Sequence, residues 1–176
     1  MTPISLPFAV VTDANILIAI CSKEQQTYQI AKDAFDEYAR QGAEFFAPNV
    51  IVAEVLFVLC RKLDAKILTE AEHEKAVGFF QDYLTIISLS PNGEAALIKR
   101  AEKARIGYGC SRTSDGLYIA LVEELAQNRP TEFLTFDAGF PNQVTKNAPG
   151  VKVNPLPIWY DNGAKMNDSA FVKTVW

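Results

Sequence analysis

Apolar positions along the chain alternate between uninterrupted runs and one-sided stripes. Residues 8–12 (FAVVT) form a short run with no polar interruption, as expected of a strand buried on both faces. A helix is predicted from about Lys23 to Gln41, with Tyr28, Ala31, Phe35 and Tyr38 on one stripe and Gly42 as its stop. EFFAP at 44–48 reads as a second strand, followed by a largely apolar helix from Asn49 to about Ala65. Thr69 and Glu72 make a capping box for a helix that ends near Leu84. TIISL at 85–89 is a third strand, and Ser90-Pro91 predicts a helix start with proline in its first turn. Leu97, Ala101 and Ala104 share a stripe of that helix, which Gly107 and Gly109 break. A last helix runs from near Thr113 to about Gln127, stopped by Asn128-Arg129-Pro130. EFLTF at 132–136 is a fourth strand and VKV at 151–153 a weak fifth. Strands interleaved with helices imply an α/β fold in which helices cover both faces of a parallel sheet.

Against that pattern, four lone carboxylates stand out. Asp13, Glu54, Asp115 and Asp137 lie in or at the lip of the runs FAVVTDANILIAI, NVIVAEVLFVLC, TSDGLYIALVEELA and EFLTFDAGF. An ionised carboxylate is rarely buried unless it is paired or holds a metal. Asp13 and Asp137 each follow a strand, where open α/β sheets collect functional residues, although both also suit turns. Asn15 is placed to orient Asp13 or a bound water. Glu54 is the sharpest signal, because its helical neighbours Val50, Ile51, Phe57 and Val58 are all apolar. A buried salt bridge to Arg61 or Arg112 is its structural alternative. Asp115 falls in the first turn of a helix, where interaction with the helix dipole would also explain it.

Taken together the four suggest one acidic pocket. Two carboxylates ~4 Å apart repel by ~4 kcal/mol at an effective dielectric near 20, so four ionised groups need a cation. Oxygen ligands with no histidine select Mg²⁺ or Mn²⁺ over zinc. A divalent ion so held activates water and neutralises charge on a phosphodiester, which suits hydrolysis of a nucleic-acid backbone.

Composition narrows the alternatives. With 176 residues, 49% hydrophobic and 22% charged, the chain has the size and make-up of one globular domain. No apolar run reaches the ~18 residues of a membrane span, and MTPISLPFAVVTD lacks the basic start of a signal peptide. The single histidine, His73, lies among charges, and Cys21, Cys60 and Cys110 have no metal-binding spacing. Zinc hydrolysis and serine or cysteine triads therefore have little to work with. Cys60, after VLFVL, reads as a buried structural thiol, and the compartment as reducing, hence cytoplasmic. The net charge of −4 argues against a broadly basic nucleic-acid coat. A local strip is basic, however: Lys99, Arg100, Lys103, Arg105 and Arg112 face one acid, Glu102. Such a strip could hold the phosphates of a single strand, with Tyr108 stacking on a base; a solvated helix face is the plainer reading.

The ordered set VVTDANILIA, NVIVAEVLFVL, SRTSDGLYIALVEELA and FLTFDAGF resembles the PIN-domain ribonucleases, especially the VapC-type toxins of toxin–antitoxin pairs, over roughly residues 8–154. The resemblance implies a three-layer α/β/α fold with a mostly parallel sheet of four to five strands and Mg²⁺- or Mn²⁺-dependent cleavage of RNA. It makes Asp13 and Asp115 the principal metal ligands, completed by Glu54 and Asp137, with Asn15 and Thr135 as supporting polar residues. It also implies a homodimer held inactive by an antitoxin. The chain is longer than many such toxins, chiefly through a tail, so residues 1–154 are expected to form the nuclease domain and 155–176 the tail. Three other readings compete: a PIN-like RNA-processing nuclease outside any such pair, a phosphatase using Asp13 as nucleophile, and an ion- or partner-binding module without turnover.

Overall fold

The computed structural model describes residues 7–108, 113–140 and 152–157, the side chains of 104–108 and 113 excepted. Five strands, β1 (Ala9–Thr12), β2 (Glu44–Ala47), β3 (Ile87–Leu89), β4 (Thr131–Thr135) and β5 (Lys152–Pro155), form one sheet in the order β3-β2-β1-β4-β5. Every pairing is parallel. The central strands are the continuous apolar runs: AVVT of β1 and TEFLT of β4 are buried at every position, as a sheet covered on both faces requires.

Six helices complete a three-layer α/β/α fold: α1 (Ala14–Cys21), α2 (Tyr28–Arg40), α3 (Val50–Asp64), α4 (Glu70–Leu84), α5 (Glu94–Tyr108) and α6 (Thr113–Ala126). Helices α1 to α4 pack among themselves, while α5 packs on α6, and α6 lies on β1 and β4. The core joins Val10, Val11, Ile16, Leu17, Phe35, Leu59, Tyr118, Leu121 and Phe133, all 2% exposed or less. The capping box of α4 is present in both directions, Thr69 accepting from the Glu72 N–H and the Glu72 side chain from that of Thr69.

Three sequence expectations need correcting. The helix predicted from Lys23 starts later, as α2 at Tyr28, and a separate helix that was not predicted, α1, precedes it. ANILIAIC of α1 is apolar all round, so it has no stripe to detect and is buried on nearly every side. Lys23 has φ +49, a left-handed turn that cannot start a helix. Ser90-Pro91 likewise opens a turn rather than a helix: Ser90 has φ +35, the Gly93 N–H donates to the Ser90 carbonyl at 2.6 Å, and α5 begins at Glu94. Cys60 is exposed, because it falls on the outward stripe of α3 with Leu56 and Phe57, while Val58 and Leu59 face the core. Among the described residues Cys21 is the buried thiol, its pKa pushed up to about 12 by burial. No helix among the described residues is long and apolar enough to cross a membrane.

Candidate active site

The strand order creates the site. From β1 the chain moves to β2 on one side, while β4 occupies the other, so the sheet changes winding direction between β1 and β4. Ligands of open α/β sheets bind outside the carboxyl ends of strands at such a point. Thr12 is level with Leu134, and the Asp13 N–H donates to the Leu134 carbonyl at 3.0 Å. Asp13 and Thr135 therefore stand side by side at the sheet's edge.

Asp13 occupies the N-cap position of α1, yet its side chain makes no capping bond. Its Oδ2 instead accepts from the Thr135 hydroxyl at 2.6 Å and from Asn15 Nδ2 at 2.8 Å. The helix-cap explanation of this aspartate thus accounts for its backbone and not for its carboxylate. Asn15 reaches further, donating to Thr135 Oγ1 at 3.2 Å and accepting from the Phe136 N–H at 3.2 Å. Thr135 Oγ1 also accepts from the Asp137 N–H at 2.9 Å. Asp137 does make a turn, its Oδ1 accepting from the Gly139 N–H at 2.6 Å.

Burial raises the pKa of Asp13 from its ordinary 3.8 to about 7. The Thr135 hydrogen bond pulls it the other way, and the charges of Asp115, Glu54 and Asp137, in that order, push it up. Acids from the end of β1, from α3, from the first turn of α6 and from the loop after β4 therefore share one electrostatic neighbourhood. Among the described residues no three acidic, histidine or cysteine side chains form a ready ligand group around one point.

Among the described residues, the donors to Asp13 and Glu54 are neutral. Glu54 Oε2 accepts from the Tyr118 hydroxyl at 2.7 Å, and among the described residues no ion pair joins it to Arg61. Arg112 lies outside the described residues. Glu132 shows the contrast: as buried as Asp13, it has Lys152 Nζ at 2.6 Å and the Tyr38 hydroxyl as partners, as a structural acid in a core does. Tyr118 is the site residue that the stripe pattern overlooked. The available signal was a phenol one turn after Asp115 on a helix otherwise apolar at that face.

Lys99 and Lys103 are exposed on α5. Arg100 leaves the basic strip, because it turns toward α6 and pairs with Glu123 at 3.3 Å. The side chains of Arg105 and Tyr108 lie outside the described residues, as does Arg112. An open cleft of about 950 Å³ lies elsewhere, between the α1–α2 connection and helices α3 and α4. Of its two acids, Glu24 is already held by Lys62 at 2.5 Å and Thr27 at 2.7 Å, and Glu72 by the capping box of α4, so its chemistry does not rival that of the carboxylates.

The PIN domain family model matches residues 10–144. No curated protein matches the chain. A chain of the VapBC2 structure from Rickettsia felis, bound to a DNA fragment from their promoter, superposes with TM-score 0.57 at 12% identity, covering 83% of this chain and 97% of that one. At that identity the likeness is one of fold. With its four acids in order along the matched segment and its strands wound as described, the chain belongs to the PIN domain family.

Proposed function

We propose that this protein is a divalent-metal-dependent ribonuclease, the toxin component of a toxin–antitoxin pair. The observation that carries the reading is the electrostatic convergence of three further carboxylates on Asp13 at the switch point of the sheet. Their donor chemistry fits Mg²⁺ or Mn²⁺: hard oxygens, with neutral partners on Asp13 and Glu54 among the described residues. Asp13 and Asp115 would be the principal ligands, with Glu54 and Asp137 completing the set. A bound ion would lower the pKa of a coordinated water and offset charge building on the phosphodiester.

The chain's own residues do the rest. Thr135 and Asn15 hold Asp13 Oδ2, fixing the carboxylate's orientation and leaving Oδ1 as the oxygen these donors do not use. Lys99 and Lys103, with Arg105 and Arg112, hold RNA phosphates beside α6. No side-chain nucleophile is required. The phosphatase alternative needs a second acid two residues after Asp13; that position is Asn15, whose amide is committed to Asp13 and Thr135.

Purified protein should cleave mixed single-stranded RNA with Mg²⁺ or Mn²⁺, and lose that activity in EDTA or as Asp115→Asn. Undiminished cleavage in EDTA, or by the variant, would overturn the mechanism. Release of phosphate from a small phosphomonoester would favour a phosphatase, and ion binding without turnover a binding module. The toxin role has its own test: expression of the wild type alone should arrest growth in the cytoplasm, and the Asp13→Asn form should not. Harmless wild-type expression would leave an RNA-processing nuclease with no antitoxin. Sedimentation would check the homodimer.

A further inference from the structure

Tyr118 lies three residues after Asp115 on α6, so the two side chains share one helix face. Its residue is 1% exposed, and its ring packs at a tilt on Phe133 of β4 with centroids 6.0 Å apart. Phenylalanine would fill that space equally well. A buried hydroxyl is costly unless it is bonded, so the phenol oxygen calls for its own explanation.

That oxygen sits where three elements meet. Its hydroxyl donates to Glu54 Oε2 of α3 at 2.7 Å, while the backbone N–H of Ala14, the first residue of α1, faces the same oxygen. Held by that hydrogen bond and 1% exposed, the hydroxyl is a fixed donor, too deep to touch RNA.

We propose that Tyr118 is a positioning residue: its hydroxyl fixes the Glu54 carboxylate in place beside Asp13 and Asp115, so that divalent-ion affinity depends on a group that contacts neither ion nor substrate. Glu54 is a long side chain on a different helix from the other acids, with three rotatable bonds before its carboxylate, and this hydrogen bond restrains it. The inference rests on the metal-dependent reading above and specifies which residue orders its α3 ligand.

The test is Tyr118→Phe, which removes one oxygen and keeps the ring. Mn²⁺ affinity would be measured from free Mn²⁺ by electron paramagnetic resonance, beside RNA cleavage and a thermal melt. Loss of such a supporting partner is expected to weaken Mn²⁺ binding 10- to 100-fold. In a Glu54→Ala background, where no carboxylate remains to be held, the same substitution should change Mn²⁺ affinity no further. A lowered melting temperature with unchanged Mn²⁺ affinity would overturn the inference, as would an equal loss in both backgrounds or a Tyr118→Phe chain that fails to fold. Absence of Mn²⁺ binding by the wild type would instead overturn the metal-dependent reading, and the inference with it.

Discussion

Thr135 donates its hydroxyl to Asp13 Oδ2 at 2.6 Å, while Thr135 Oγ1 itself accepts the backbone N–H of Asp137 at 2.9 Å. One side chain from β4 thus sets both the orientation of the acid after β1 and the path of the chain into the acid after β4. Because this bond favours the charged form of Asp13, its loss should drive that pKa further up. Thr135→Val is expected to shift the rising limb of the pH–rate profile for RNA cleavage to higher pH and to cut activity at neutral pH about 10-fold or more. Thr135→Ser, which keeps the hydroxyl, should stay near wild type.

The raised pKa of Asp13 makes folding stability depend on pH. Between its ordinary 3.8 and about 7 the unfolded chain has released this proton and the folded chain still holds it. The contribution of Asp13 to stability therefore falls as pH rises through that window and levels off above about 7. The step corresponds to about 4 kcal/mol as an order of magnitude. Urea unfolding in EDTA across this range should show Asp13→Asn lacking that component of the decline and exceeding the wild type in stability at pH 8. A parallel decline in both proteins would place the source elsewhere.

Thr12 presents a different cost. Its hydroxyl, one residue before Asp13, is fully buried and has no hydrogen-bond partner among the described residues. An unsatisfied buried polar group costs about 1–3 kcal/mol. Thr12→Val replaces the hydroxyl with a methyl group and should raise stability by about 1 kcal/mol, read as an upward shift of the urea midpoint with an unchanged slope.

Lys99 and Lys103 are exposed one turn apart on α5. The double variant Lys99→Glu/Lys103→Glu should raise KM for single-stranded RNA with little change in kcat. The slope of log affinity against log salt should flatten by about 0.7 for each phosphate that is no longer neutralised. An unchanged salt slope would show that these lysines are only a solvated face.

The packing of α5 on α6 leaves little room at Gly116, next to Asp115. A Cβ built there meets the Ala101 carbonyl oxygen at 3.2 Å. Gly116→Val adds branched atoms against backbone that cannot yield as a flexible side chain would. It is expected to destabilise by about 1–3 kcal/mol in thermal or urea unfolding.

The sequence by itself marked the four acids as candidates for chemistry, and their order along the chain. Apolar runs buried on both faces declare β1 and β4 locally, and a charge inside such a run is costly wherever the chain goes, so Asp13 and Glu54 were visible without a fold. The capping box of α4 was legible for the same reason, since its partners are three residues apart. The sequence said nothing of α1, which is apolar on every side, nor of the outward turn of Cys60. Only tertiary structure decided that β4 lies beside β1 with Thr12 level with Leu134, and that Tyr118 reaches Glu54 from another helix. The hydrogen bonds to Glu54 and Asp13 join residues 64 and 122 positions apart. Periodicity reports each element's own buried face, whereas the choice of neighbour depends on how all the faces pack at once.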